Sequence, residues 1–413
     1  MQKYNRYERV GKSFIFYVPL SLHFYTMDLK LFFDSVHPDI DVSKYPSNAL
    51  VHSIYVNTGS MPDIDGLDIA IVGIIEGRGA EEYSQPGLSK ASNEIRKSFY
   101  DLKKGLGQFK IADLGDLRNG PELGDTYSRL QEVGGYLMEQ RILPIFIGGS
   151  HNMDLGQYMS YEELDKLVTL LTVDNKLDLD DPKRSIPSYS HNHSIFKHEP
   201  NFLFNYYQLG YQSYLIDKSS TTLLEQLSFE AIRLGEVKEN IKNLEPIIRD
   251  ADMVSFDISA IQTHYCPGGE NAKVYGLTGE EACQMTWYAG LNDKLSSIGF
   301  YGYDVNNDDD DKKTAFVIAT MLWYFIEGFY NRKGDKNFFS NDYLVYEVAF
   351  EGNPESIRFY KSKLSEKWWM EVPHPEDKVG FMRSKMIPCS YDDYQMAMKG
   401  EVPVKWISVF SKF

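Results

Sequence analysis

The sequence has few cysteines, a deficit of basic residues and no apolar run of membrane length. Cys266, Cys283 and Cys389 are its only cysteines, and none has the close partner spacing of a zinc site. Such usage fits free thiols in a reducing compartment and excludes a disulfide framework. Lys and Arg total 43 against 59 Asp and Glu, a net charge of -16. That balance argues against nucleic acid and anionic membranes as partners. It suits a cationic small molecule, although acidic surfaces are common. The longest apolar stretch, Thr314 to Phe329, is broken by Glu327. It falls short of a bilayer span and reads as a buried helix. No apolar signal region follows Met1-Gln2-Lys3, so a cytoplasmic location is expected. The stretch Glu76-Gly77-Arg78-Gly79-Ala80 is glycine-rich but lacks dinucleotide or P-loop spacing. Internal repeats are absent. The one biased segment, Asp308 to Asp311, reads as a solvated helix start, where negative charge suits the helix dipole.

What is present is an ordinary globular composition, 43% hydrophobic and 25% charged. Strand patterns at 68–74, 109–114, 144–147, 170–173, 201–216, 253–256 and 294–305 alternate with helical patterns. The helical patterns fall at 92–100, 125–141, 153–166, 224–234, 237–249, 279–289 and 314–329. This alternation predicts an α/β fold with a mostly parallel central sheet. Beyond residue 332 the composition shifts. Strands are expected at 343–350 and 366–373, and helices at 355–363 and 391–399. The expected organisation is an N-terminal extension over 1–65 packed on the core, an α/β core over 66–332, and a small α+β appendage over 333–413. Its aromatics, Trp368 and Trp369 among them, suit core packing or an oligomer contact equally well, and a homo-oligomer is expected.

Three core strands end in groups that carry chemistry. Leu170-Leu171-Thr172-Val173 runs into Asp174-Asn175-Lys176-Leu177-Asp178. If the strand stays extended, Asp174, Lys176 and Asp178 share one face. Buried carboxylates are costly unless they are paired or bind a metal. The plainer reading is a solvated strand end with a local ion pair. Pro144 to Ile147 is a second apolar strand, followed by Gly148-Gly149-Ser150-His151. A histidine just past a buried strand is a reasonable metal ligand. The third strand, Met253 to Phe256, ends in Asp257, with Ser259 on the same face. Ligands of open α/β sheets bind at the carboxyl ends of strands, so His151, Asp174, Asp178 and Asp257 are expected to converge.

In this order the three stretches resemble the arginase, agmatinase and formimidoylglutamase family, the ureohydrolases. That family's patterns are G-G-x-H, D-A-H-x-D and S-x-D-x-D with a following P-G. Here they stand as Gly148-Gly149-Ser150-His151, Asp174-Asn175-Lys176-Leu177-Asp178 and Ser255-Phe256-Asp257-Ile258-Ser259, with Pro267-Gly268 downstream. The resemblance covers roughly residues 65 to 330. It implies a three-layer αβα core and hydrolysis of C–N bonds in guanidino or formimino compounds, with formimidoylglutamate-like substrates favoured.

The resemblance also implies two bridged manganese ions. The ligands of one ion would be His151, Asp174, Asp178 and Asp257, all present. The distinctive ligands of the other fall on Lys176 and Ser259. The expectation is therefore one divalent ion, manganese foremost, with the Lys176 ammonium standing in for the second cation. The competing reading is a vestigial pocket with no metal, in which Lys176 bridges Asp174 and Asp257. In that case the chain is an inactive relative that binds a small ligand or a protein partner. Lys176 is expected to stabilise negative charge in the transition state, or to act as a base if burial makes it neutral. Asp304, at the position of a substrate-binding glutamate, is expected to orient the cationic group of the substrate. His191 and His193 lie in a polar loop over 180–200, and His191 is the candidate proton shuttle. Arg78 is a candidate anchor for a substrate carboxylate, against a plain solvated arginine.

Overall fold

The computed structural model describes residues 27–80, 86–164, 166–335, 337, 338, 340–352, 354–373 and 386–412. The first 26 residues of the expected N-terminal extension lie outside them.

Ten strands form one sheet: β1 (Phe33–Asp34), β2 (Tyr55–Val56), β3 (Ile69–Ile74), β4 (Ile111–Leu117), β5 (Leu143–Ile147), β6 (Val168–Val173), β7 (Leu203–Tyr211), β8 (Glu230–Arg233), β9 (Met253–Asp257) and β10 (Ser297–Tyr301). Their order is β1-β4-β3-β5-β10-β9-β6-β7-β8, with β2 also on β4. Every pairing is parallel except β1 with β4. Every residue of β3, β5, β6, β9 and β10 is buried. This is why these strands read as unbroken apolar runs rather than as alternation: helices cover both faces. The architecture is the expected three-layer α/β fold. The two short strands before residue 65 join the sheet itself through β4.

The chain order crosses over at one place that matters. β5 lies beside β3, but β6 starts three positions further along, with β10 and β9 filling the gap. The carboxyl ends of β5, β10, β9 and β6 therefore stand side by side. This is the crevice in which open α/β sheets hold ligands.

A second sheet follows the core, with β11 (Tyr343–Ala349), β12 (Ser356–Ser362), β13 (Trp368–Glu371) and β14 (Met386–Cys389) antiparallel in sequence order. Helices Tyr391–Met398 and Val404–Phe410 complete it. It has its own apolar core around Phe359, Met370 and Trp406. Arg249 fastens it to the main sheet. Its guanidinium lies 4.3 Å from the Trp369 ring centre and donates to the carbonyls of Trp368 (3.0 Å) and Cys389 (3.3 Å).

Several elements differ from the sequence reading. Residues 355–363 form a strand, not a helix: Ile357 and Phe359 point into the appendage core two residues apart. The helix expected over 224–234 ends at Gln226, where Ser228 takes a left-handed backbone (φ 56°), and Glu230–Arg233 becomes edge strand β8. The loop over 180–200 contains a short helix, His191–Phe196. The helix expected over 153–166 is only Asp154–Met159.

One buried carboxylate binds three strands together at their amino ends. Asp252 accepts the Thr169 N–H at 2.9 Å and pairs with Lys166 at 2.6 Å and Lys294 at 3.0 Å. Burial opposes its charge, but the two lysines win and hold its pKa below the ordinary 3.8. A folded-state pKa below the unfolded one adds stability above the unfolded value. That stability is lost as pH falls through the folded value. Asp252→Asn should therefore lower the urea-unfolding free energy at pH 7. Because both lysines are about one-third exposed, the cost should be about 2–3 kcal/mol, between the limits for exposed and buried pairs. The gap between the two proteins should shrink when unfolding is measured below pH 4, near and below the ordinary aspartate value.

Candidate metal centre

The site is built where strands stop. β5 ends at Ile147, and Gly148 and Gly149 then take φ of 90° and 76°. A Cβ on Gly148 would lie 2.8 Å from the Ile74 carbonyl, and one on Gly149 would lie 2.6 Å from the Ile74 Cγ2. Only glycine makes this turn against β3. It delivers His151, 3% exposed, into the sheet crevice.

β6 ends at Val173, so strand alternation does not place the groups that follow. Asp178 has a φ of 46°, and the chain curls so that Asp174 and Asp178 face the same imidazole. Side-chain amides hold the curl by its backbone. Gln208 on β7 donates to the carbonyls of Lys176 (2.8 Å) and Asp174 (3.3 Å). Asn192 donates to the Leu177 carbonyl at 3.0 Å. Asn175 donates to the Ser259 carbonyl at 2.9 Å, tying the curl to the turn after β9.

Nδ1 of His151 lies 3.1 Å from Asp174 Oδ2, 3.2 Å from Asp257 Oδ2 and 3.7 Å from Asp178 Oδ2. Despite these neighbours, Nδ1 makes no properly directed hydrogen bond. Ser259 donates its hydroxyl to Asp174 Oδ1 (2.9 Å) and its N–H to Asp257 Oδ1 (2.6 Å). All four residues named as ligands in the sequence reading are thus brought together and buried.

Behind them sits Asp154, a carboxylate that the sequence reading passed over. It is fully buried. Its Oδ1 lies 2.8 Å from His191 Nδ1. Its Oδ2 accepts the Ser255 hydroxyl at 3.0 Å and lies 3.7 Å from His151 Nε2. Ser255 also contacts His151 Nε2 at 3.0 Å. An aspartate three residues after His151, opening a helix of otherwise apolar and amide residues, was the signal available in the sequence.

Burial disfavours charge on His151, but the Asp257 and Asp174 carboxylates outweigh it and hold the imidazole well above the usual histidine range. Burial likewise lowers His191, and Asp154 beside it more than compensates, raising it to about 9. Asp174 is pushed up by burial and by the Asp178 and Asp257 charges. Burial also raises Asp178, but the two imidazoles win and set it low. The crowded carboxylates thus draw in positive charge. A divalent ion supplies such charge in place of protons, and the mixed imidazole and carboxylate donors suit a first-row metal.

The other expected site residues are placed differently. The Lys176 ammonium lies 4.0 Å from the Tyr189 ring centre. Among the described residues no carboxylate comes within 4.0 Å of it, so neither the expected stand-in cation nor the bridge to Asp174 and Asp257 is formed. The expectation of a shared face assumed an extended strand, and the curl after Val173 removes that premise. Asp304 is buried, and its oxygens accept the Asn306 N–H (2.9 Å) and the Asn307 amide (3.1 Å). It does not line the carboxylate cleft. His191 is inside the cluster with no side-chain exposure, which does not suit proton exchange with solvent. His193 lies in the same short helix and is half-buried. Arg78 is exposed, as the plainer reading has it, but not free: it pairs with Glu76 at 2.5 Å and donates to the Gly120 carbonyl at 2.9 Å.

The cleft at the cluster is small, about 20 Å³, and is lined by Lys176, Tyr189, Glu270 and Asn271 besides His151 and the three aspartates. That volume is on the scale of one water or ion. A larger cleft of about 320 Å³ shares Lys176, Asp178 and Tyr189 with it and extends to Tyr214 and Asp217.

The glycine turn gives a direct test of how His151 is held. Gly148→Ala should lower stability in urea unfolding by about 1–3 kcal/mol, the scale of a strained backbone position. Gly124→Ala, where an added Cβ meets nothing within 4 Å, should not lower it measurably.

A model of the arginase family matches residues 67–327. The formimidoylglutamase of Staphylococcus haemolyticus is 22% identical over 286 residues, spanning 66% of this chain and 90% of that protein. The formimidoylglutamase of Streptococcus gordonii is also 22% identical, over 74% of this chain and 97% of its own length. Among solved structures, the formiminoglutamase of Trypanosoma cruzi with manganese superposes with a TM-score of 0.60 at 18% identity, covering 66% of this chain and 97% of that one. The formimidoylglutamase of Bacillus subtilis gives 0.60 at 16% identity, covering 69% and 93%. At such identities the structural likeness speaks for the fold. The family match spans more than half of the sequence, including β3 through β10 and the whole cluster. The chain belongs to the arginase family.

Proposed function

We propose that the chain is a metal-dependent hydrolase of C–N bonds in guanidino or formimino compounds. A formimidoylglutamate-like substrate is favoured, and one metal position is kept. The observation that carries this reading is the convergence of Asp174, Asp178 and Asp257 on Nδ1 of His151, at 3.1, 3.7 and 3.2 Å. In this reading His151 and the three aspartates hold the ion, with manganese foremost. A divalent ion bound there supplies Lewis-acid activation of water.

The residues around the cluster have separate tasks. Ser259 occupies one oxygen of Asp174 and one of Asp257, leaving their other oxygens directed at His151. Burial keeps bulk water from competing for these charges. The small cleft has no room for a substrate, so the substrate body takes the adjoining larger cleft, beside Tyr189 and Tyr214. Lys176 lines both clefts and brings a positive charge to their boundary, where negative charge on the reacting group would be stabilised. Asp304 has no part in this reading, because Asn306 and Asn307 occupy its oxygens.

A second reading, an inactive relative that binds a small ligand or a protein partner, draws on the same two side chains. Lys176 lies on Tyr189 and Asp304 caps its own turn, so neither is preset on a reacting atom.

The test is metal content followed by turnover. Protein purified with manganese and freed of excess should retain one ion per chain, and Asp174→Ala or Asp257→Ala should remove it. The loaded protein should hydrolyse N-formimidoylglutamate to glutamate and formamide. An ion-free protein, or a loaded one inert toward formimino and guanidino compounds, would favour the inactive relative.

A further inference from the structure

We propose that His191 is a further metal ligand of this chain, adding a second imidazole to His151 and the three aspartates of the reading above, and that Asp154 positions both imidazoles. The proposal deepens the reading above and rests on it, since it assumes that the cluster binds a cation.

Donor spacing is the first argument. One ligand atom each from His151, Asp174, Asp178 and His191 lies within 4.8 Å of all the others. Nε2 of His191 is 3.1 Å from Asp178 Oδ2, and Nδ1 of His151 is 3.1 Å from Asp174 Oδ2. Two ligand atoms at about 2.1 Å from one ion stand roughly 3.0–3.4 Å apart for bond angles between square and tetrahedral. These two separations are of that size, while Nδ1 of His151 and Asp178 Oδ2 stand a little wider, at 3.7 Å. All four side chains are buried, so the spacing is set by packing.

The second argument is where each ring nitrogen points. Metal-binding histidines turn one ring nitrogen to the ion and the other to a carboxylate or hydroxyl, which fixes the ring. Both imidazoles here approach one carboxylate, His151 through a hydrogen-bonded serine and His191 by proximity alone. Nδ1 of His191 lies 2.8 Å from Asp154 Oδ1. Nε2 of His151 meets Ser255, which donates to Asp154 Oδ2. Nε2 of His191 and Nδ1 of His151 are the two nitrogens that face Asp178 and Asp174: the first is hydrogen-bonded to Asp178 Oδ2 at 3.1 Å, and the second has no directed partner. The rings lie 4.3 Å apart, tilted by 54°, as neighbours converging on one point. The short helix His191–Phe196 brings His191 there, while the Lys176 side chain is turned onto Tyr189.

The experiment is pulsed EPR on the full chain loaded with Mn²⁺, counting imidazole nitrogens coupled to the ion, with binding titrated in parallel. The wild type should show two histidine couplings, and His191→Gln should show one, with binding weakened at least tenfold. Asp154→Asn should weaken Mn²⁺ binding by about 10–100-fold, the usual effect of losing a group that orients a ligand. A wild type with one bound ion and a single histidine coupling would overturn this proposal and leave the metal-dependent reading standing. A wild type that binds no ion would end both. If His191→Gln fails to fold, the wild-type nitrogen count still decides.

Discussion

Four carboxylates, Asp154, Asp174, Asp178 and Asp257, surround two imidazoles in a space closed to bulk water. An uncompensated buried charge costs several kcal/mol, so this concentration of charge governs what the surrounding structure must do. It requires positive charge at the centre, from protons or from a metal. It also calls for directed donors to the oxygens of Asp154, Asp174 and Asp257. Ser255, Ser259 and the backbone N–H of Ser259 are those donors.

The sheet order meets this requirement without long-range strain. His151, Asp174 and Asp257 come from segments far apart in sequence, yet they follow β5, β6 and β9, which lie within four adjacent places of the sheet. No strand has to bend to bring them together. The crossover from β5 to β6 leaves the crevice, and β10 and β9 later fill the floor beneath it. Asp252 stitches the opposite end of β6, β9 and β10 with two lysines. The strands that carry the acidic cluster at one end are thus pinned by an ion-pair network at the other. The C-terminal sheet docks on that same pinned end through Arg249, away from the carboxyl-end crevice.

Much of this was legible in the sequence because it rests on local pattern. Unbroken apolar runs marked the doubly covered strands, and the groups just past them marked the crevice. His151, Asp174, Asp178 and Asp257 could be named together for that reason. Lys176 could not be placed, because period-two reasoning ends where a strand ends, and the left-handed Asp178 lies beyond that point. Asp304 was read as a free carboxylate, but it caps its own turn through Asn306 and Asn307, a local bond that competes with any outward role. Asp154 was missed because its partners, Ser255 and His191, are distant in sequence. The strand at 356–362 was missed because charged and aromatic residues with mixed spacing fit a short helix as well as an antiparallel strand.

The amide clamps on the curl after β6 act on carbonyl oxygens. Gln208 and Asn192 grip the backbone of residues 174, 176 and 177 and touch no side chain between the two aspartates. The identity of residue 176 is therefore uncoupled from the placement of Asp174 and Asp178. Evolution could exchange the side chain at this position while the acidic pair stayed in register, and a designer could do the same. The mouth of the crevice carries a side chain on which the frame beneath it does not depend.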